Sequence, residues 1–263
     1  MNTIQKCKNG LVIFNRKDTF QSISLDNYGE FLENQSDLFK ELINENDVVY
    51  DVGANIGCLT ILFARLAAKG LVFAFEPERH SFNNLCGNLA INNLNNVYAY
   101  QYALSNTAGS IFIPELNHEQ EFDQGFLNLK EKYNCSGYQS ILTTVDSVKS
   151  SKCNFIKINV CNMEKEVLEG SFETINKNKP IIFISQLYSD CINEILDFIN
   201  NIKYETFLFK HNPFKENNFY NKKENVFKKY KDIDEFKISS FLFLPKEYTK
   251  KEFLINKFNL LKI

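Results

Sequence analysis

Two acids and two glycines carry the clearest chemistry in this chain. Residues 48–57 read VVYDVGANIG: an apolar run ends around Asp51, a turn spaced by Gly53 and Gly57 follows, and an apolar pattern of helical period starts at Leu59. Glycine has no Cβ, so it reaches positive φ and tolerates close approach. A turn that opens a helix in this way presents backbone N–H groups and the positive end of the helix dipole to the polar end of a ligand. The second acid, Glu76, closes the apolar run 71–75. It stands about 20 residues beyond the first glycine, where an acid can accept hydrogen bonds from ribose hydroxyls. The Gly-x-x-x-Gly spacing differs from the Gly-x-Gly-x-x-Gly of dinucleotide sites, which disfavours a dinucleotide-dependent oxidoreductase.

A second reactive stretch is FIKINVCNME, residues 155–164. Strand alternation puts Ile156, Ile158 and Val160 on one face and Lys157, Asn159 and Cys161 on the other, pointing up as the strand ends. Glu164 opens the next helix, where the dipole favours an acid, so helix capping competes with chemistry there. His118 and Asp123 lie in the polar, aromatic loop 117–126, and His211 opens another polar loop. A lone surface histidine is more often simply solvated.

Taken in order, the segments DVGANIG, AFEPE, NLAIN (88–92), Ala103-Leu104, TTVDSV, IKINV and MEKEVLEG resemble the FkbM-type S-adenosylmethionine methyltransferases, over residues 27–245. The resemblance implies an α/β, Rossmann-like class I methyltransferase fold: a seven-stranded, mostly parallel sheet with strand 7 antiparallel and helices on both faces. It implies S-adenosylmethionine as methyl donor, held by Asp51, Gly53, Ala54, Asn55, Gly57, Glu76, Pro77 and Ala103. Tyr102 and Leu104 would flank the adenine with Ala103, or belong to the core. The catalytic positions would be Asn159, Cys161 and Glu164, and the acceptor a hydroxyl of a sugar, glycan or other small molecule.

The chain departs from the family's usual Ile-Lys-Ile-Asp-Val-Glu-Gly-x-Glu string. Asn159 replaces the Asp, Cys161 the first Glu and Asn162 the Gly, and Ser185 stands where strand 5 usually ends in Glu. Asparagine keeps shape and hydrogen bonding but loses charge and basicity. A protein that binds cofactor with little turnover is therefore the alternative. The groups left to take a proton are Glu164, His118, His211 and Asp123. Cys161 joins them only if Lys157 lowers its pKa; otherwise it is an inert thiol.

The positioning elements follow from periodicity. Apolar residues at 11–14 and 20–25 suggest a hairpin, and Phe31, Leu32, Leu38, Phe39, Leu42 and Ile43 give helical spacing over 30–43. This segment, 1–46, reads as an extension of the domain formed by 47–263, either capping the cofactor site or covering a sheet edge. Helices are expected at 58–68 (stopped by Gly70), 78–92, 163–176 and 190–201. Strands are expected at 97–104, 110–114, 155–160, 180–184, 205–209 and 238–244. The last two lack an intervening helix and should pair antiparallel, and the crossovers should be right-handed. The tail 247–263 reads as a docking helix.

Bulk properties narrow the partners. A length of 263 residues suits one large α/β domain. The net charge of −2 exerts no general pull on nucleic acid or anionic membrane. Seven scattered cysteines without a Cys-x-x-Cys pair indicate neither a disulfide framework nor a metal site, and read as the reduced thiols of a cytoplasmic protein. No run reaches the roughly 18 apolar residues of a membrane span.

Overall fold

The apolar run that ends at the first acid is buried at every residue and lies inside a large sheet. The computed structural model describes residues 2–121, 127–185, 191–229 and 238–263. In chain order, β1 (Asn2–Cys7) and β2 (Gly10–Asn15) form a hairpin, followed by α1 (Thr19–Tyr28) and α2 (Glu33–Leu42). Then come β3 (Val48–Val52), α3 (Cys58–Leu66), β4 (Leu71–Phe75), α4 (Arg79–Ile91) and β5 (Val97–Tyr100). Next are β6 (Tyr102–Leu104), β7 (Gly109–Pro114), β8 (Gly137–Thr143), β9 (Phe155–Ile158), α5 (Glu164–Glu169) and α6 (Phe172–Asn178). The chain continues through β10 (Ile181–Ile184), α7 (Ile192–Asn201), β11 (Tyr204–His211), β12 (Ile238–Pro245), α8 (Lys251–Phe258) and β13 (Leu261–Lys262).

The main sheet has the order β13-β11-β12-β10-β9-β3-β4-β5. The pairs β10–β9, β9–β3, β3–β4 and β4–β5 are parallel, while β12 runs antiparallel to both β10 and β11. The seven expected strands are all present, and the short β13 adds an eighth at the edge. The tail therefore supplies a helix and then an edge strand, where a helix alone was expected. Helices cover both faces. Val167, Leu168, Ile175, Ile195 and Ile199 pack on one, and Leu38, Phe39, Leu59, Phe63 and Leu254 on the other.

Three local expectations are corrected. Residues 20–25 are helical: Asp18 caps α1 by accepting from the Gln21 N–H, and Gly29 ends it at φ 64°. The strand expected over 97–104 divides, because residues 102–104 leave the main sheet to pair with β8 in a second, three-stranded sheet. The helix expected over 163–176 is broken. A Cβ on Gly170 would lie 1.9 Å from the Ser105 carbonyl oxygen, and Asp146 accepts from the N–H groups of Glu173 and Thr174 to start α6 afresh.

The amino-terminal hairpin is fastened to α4. Asn92 accepts from the Leu11 N–H at 3.0 Å, and Asn88 donates to the carbonyls of Ile13 and Ile56. Two asparagines one helical turn apart thus complete the hairpin's free edge. None of the described residues of 1–46 lines the pocket below; Leu38, Phe39 and Leu42 of α2 pack on a face of the main sheet. Among the described residues no helix is long and apolar enough to cross a membrane.

Candidate cofactor and active site

The turn after β3 satisfies its own donors. The N–H groups of Gly53 and Ala54 both donate to the Phe75 carbonyl at 3.0 Å, that of Asn55 to Glu76 Oε2 at 2.8 Å, and that of Gly57 to the Ala54 carbonyl at 3.0 Å. The Ile56 N–H is taken by Asn55 Oδ1 at 2.8 Å. The amides of residues 53–57 are therefore taken within the protein. The glycines are needed for the protein's own packing. Gly53 and Gly57 have φ of 74° and 88°. A Cβ would stand 2.0 Å from the Asn159 carbonyl oxygen at the first and 2.5 Å from Leu85 Cδ1 at the second.

Above the turn, at the carboxyl ends of β3, β4 and β9, lies a partly open pocket. Five of the eight residues assigned to the cofactor line it: Gly53, Asn55, Glu76, Pro77 and Ala103. Asp51, Ala54 and Gly57 lie beneath. Ala54 packs with Ala74, Leu85 and Leu89, and Gly57 starts α3. Asp51 is wholly buried, with Oδ1 paired to Lys157 Nζ at 2.9 Å and Oδ2 accepting from Thr60 Oγ1 at 2.7 Å.

Glu76 accepts from the Asn55 N–H and from the Glu78 N–H at 2.9 Å. Burial still raises its pKa to about 7, with the backbone bonds pulling the other way. A carboxylate has about four lone-pair sites, so two backbone donors leave acceptor capacity on a group that lines the pocket. Further donors, such as a vicinal diol, would favour the charged form. Tyr102 and Leu104 also face the pocket, and with Pro77 and Ala103 give it an apolar side.

Asn159 and Cys161 line the opposite side with Val160 and Met163. Glu164 follows Met163 in the chain and is 1 % exposed. Neither of its oxygens has a donor in hydrogen-bonding geometry. Burial raises its pKa to about 7, although the nearby N–H groups of Asn162 and Glu164 itself oppose the shift. Cys161 is not activated: burial first and Glu164 second push its thiol up to about 11. Lys157 was expected to point up beside it, but is turned under the turn, donating to the Gly53 carbonyl at 2.7 Å and pairing with Asp51.

The other proton acceptors scatter. His211 is buried between Gln35 Nε2 at 3.1 Å and Ser240 Oγ at 3.3 Å, and burial pushes its pKa down to about 4. Ser185, at the end of β10, donates to Gln35 Oε1 at 2.7 Å and is 1 % exposed. His118 stacks on His80 with ring centroids 4.0 Å apart, its Nε2 lying 3.8 Å from Glu78 Oε1 at the pocket rim. Asp123 lies outside the described residues. The sequence reading missed Leu127, Leu129 and Ser81 as pocket residues. The two leucines follow an irregular loop with no periodicity to announce them, and Ser81 looked like one more position in the helix after Glu76.

A parallel sheet with an antiparallel β12 and a pocket over its switch point defines a class I methyltransferase architecture. Residues 51–210 match the methyltransferase FkbM domain, and the chain belongs to that family of S-adenosylmethionine-dependent enzymes. It is 32 % identical over 138 residues to the hexuronic acid methyltransferase AglP of Haloferax volcanii, covering 51 % of this chain and 53 % of that protein. It is 44 % identical over 54 residues to the tRNA(Phe) (4-demethylwyosine(37)-C(7)) aminocarboxypropyltransferase of Methanocaldococcus jannaschii, covering 20 % and 22 % of the two chains. The chain thus spans about half or less of the length of these relatives. The crystal structure of Methyltransferase FkbM from Methylobacillus flagellatus aligns with a TM-score of 0.51 at 17 % identity, covering 76 % of this chain and 44 % of that one. TYW2 of M. jannaschii, solved in complex with AdoMet, aligns with a TM-score of 0.50 at 16 % identity, covering 93 % and 86 %.

Proposed function

We propose that this chain transfers the methyl group of S-adenosylmethionine to a hydroxyl of a sugar or another small molecule. The observation that carries the reading is the pocket over β3, β4 and β9, with the buried Glu76 carboxylate in its wall. The residues present suit the cofactor. Glu76 would accept from the ribose hydroxyls, Pro77, Ala103 and Leu104 would flank the adenine, and Gly53, Asn55 and Asn159 would face the methionine end. Bound there, the cofactor supplies an electrophilic methyl group.

The protein's own part is to hold an acceptor oxygen in line with that methyl, a proximity effect worth several kcal/mol. Glu164, next in the chain to the pocket-lining Met163 but buried behind the pocket wall, is the carboxyl we assign to take the acceptor's proton, an assignment that requires the segment 161–163 to shift and bring it to the acceptor. The sugar acceptor is supported by the Haloferax volcanii relative, a hexuronic acid methyltransferase.

A second reading is a cofactor-binding protein with little turnover. It is favoured by Cys161, whose thiol is pushed up to about 11, and by Ser185, sealed against Gln35. Calorimetry with S-adenosylmethionine, followed by transfer of a labelled methyl group to hexuronic acids and other sugars, separates the two. Binding with transfer supports the enzyme, binding without transfer to any acceptor supports the second reading, and no binding overturns both.

A further inference from the structure

Lys157 and Asp51 lie just behind the pocket surface. They are 2 % and 0 % exposed, and their charged atoms meet at 2.9 Å. Lys157 Nζ also donates to the carbonyls of Gly53 at 2.7 Å and Val52 at 3.4 Å, and both residues line the pocket. A single peptide carbonyl therefore separates a buried cation from the pocket. Asp51 is held in place by Thr60 Oγ1 at 2.7 Å, so it stays fixed as the counter-charge.

We propose that this buried pair is the electrostatic floor of the pocket and that Asp51, by cancelling the Lys157 charge, keeps that floor from favouring the neutral thioether left after methyl transfer over the sulfonium cofactor. The inference rests on the reading of the pocket as an S-adenosylmethionine site. Donor and product, S-adenosylhomocysteine, share their adenosine, amino and carboxylate groups. They differ by one methyl group and one positive charge, so hydrogen bonds to the shared groups cannot tell them apart. A charge beneath the floor can, because little water intervenes to screen it. With Asp51 in place the floor is neutral overall and tolerates a sulfonium above it. Without Asp51 the floor is a cation facing a cation.

The test is calorimetric titration of the full chain with S-adenosylmethionine and with S-adenosylhomocysteine, for wild type, Asp51→Asn, Lys157→Met and the double variant. Asp51→Asn keeps the shape and the oxygen that meets Thr60. It should shift the ratio of the two dissociation constants towards the thioether by about tenfold. Lys157→Met should shift the ratio the other way, and the double variant should restore it. A purely structural pair would weaken both ligands by the same factor, and an unmoved ratio in Asp51→Asn overturns the proposal. If Lys157→Met does not fold, Asp51→Asn and the double variant still decide. If wild type binds neither ligand, the cofactor reading falls and takes this inference with it; if wild type binds both and no variant moves the ratio, only this inference falls.

Discussion

The backbone N–H of Asn55 donates to Glu76 Oε2 at 2.8 Å, tying the turn after β3 to the end of β4. The residue expected to greet the ribose is also the strut that fixes the neighbouring turn. Glu76→Gln keeps the size of the side chain but loses the charge. Hydrogen bonds to a charged group contribute about 1.5–3 kcal/mol each, so affinity for S-adenosylhomocysteine should fall by at least about tenfold. Calorimetry reads this directly, and unchanged affinity would show that Glu76 is only a strut.

The two buried carboxyls give the free protein an unusual pH response. Glu76 and Glu164 both titrate at about 7 in the fold, above the ordinary value of 4.5. The native state then holds more protons than the unfolded chain between those values, so their contribution to stability falls as pH rises. His211, pushed down to about 4, works in the opposite direction on the acid side. The difference between wild type and Glu164→Gln isolates one carboxyl. Relative to the variant, wild type should lose melting temperature as pH rises from about 5 to about 7. A gap that stays constant across that range would exclude a raised carboxyl at Glu164.

Cofactor binding should release a proton where Glu76 titrates. Ribose hydroxyls favour its ionised form, so affinity for S-adenosylhomocysteine should rise with pH up to about 7 and then level off. Calorimetry in buffers of different ionisation enthalpy measures the proton count. The same count in Glu76→Gln would assign the release elsewhere.

Gly53→Ala should destabilise the fold by about 2 kcal/mol or more, since positive φ alone costs an L-residue roughly 1–2 kcal/mol. The added Cβ would also meet the Asn159 carbonyl oxygen at 2.0 Å. Chemical denaturation checks it, and a loss below about 0.5 kcal/mol would mean that the end of β9 yields easily.

The three lost family carboxylates should not respond alike to restoration. Asn159 and Cys161 line the pocket, and Asn159→Asp with Cys161→Glu should raise methyl transfer to a sugar if the deficit there is catalytic. Ser185 is sealed between Gln35 and Ser240, and Ser185→Glu would bury a charge against the Gln35 carbonyl oxygen. It should cost about 3 kcal/mol or more and restore nothing. A stable, more active Ser185→Glu protein would contradict the sealed arrangement.

Much of the fold was legible because its signals are local. Asp51, Gly53 and Gly57 mark the strand, turn and helix within ten residues. The reason for the glycines was not legible, because the atoms they make room for belong to Asn159 and Leu85, far along the chain. The role of Lys157 was hidden for the same cause. Alternation gives the side of the strand a residue occupies, but only the neighbouring strand decides that its amine bends down to Asp51. The Ser185–Gln35 bond joins residues 150 apart in sequence, beyond the reach of any periodicity.

That last bond bears on where the chain can be shortened. The match to the family begins at Asp51, which invites expression of a fragment starting just before it. Such a truncation would remove Gln35 and strip Ser185, His211 and Ser240 of a shared partner at the centre of the sheet's working edge. It would also take away the hairpin that Asn88 and Asn92 hold. The smallest piece of this protein worth purifying begins well ahead of its recognisable motifs.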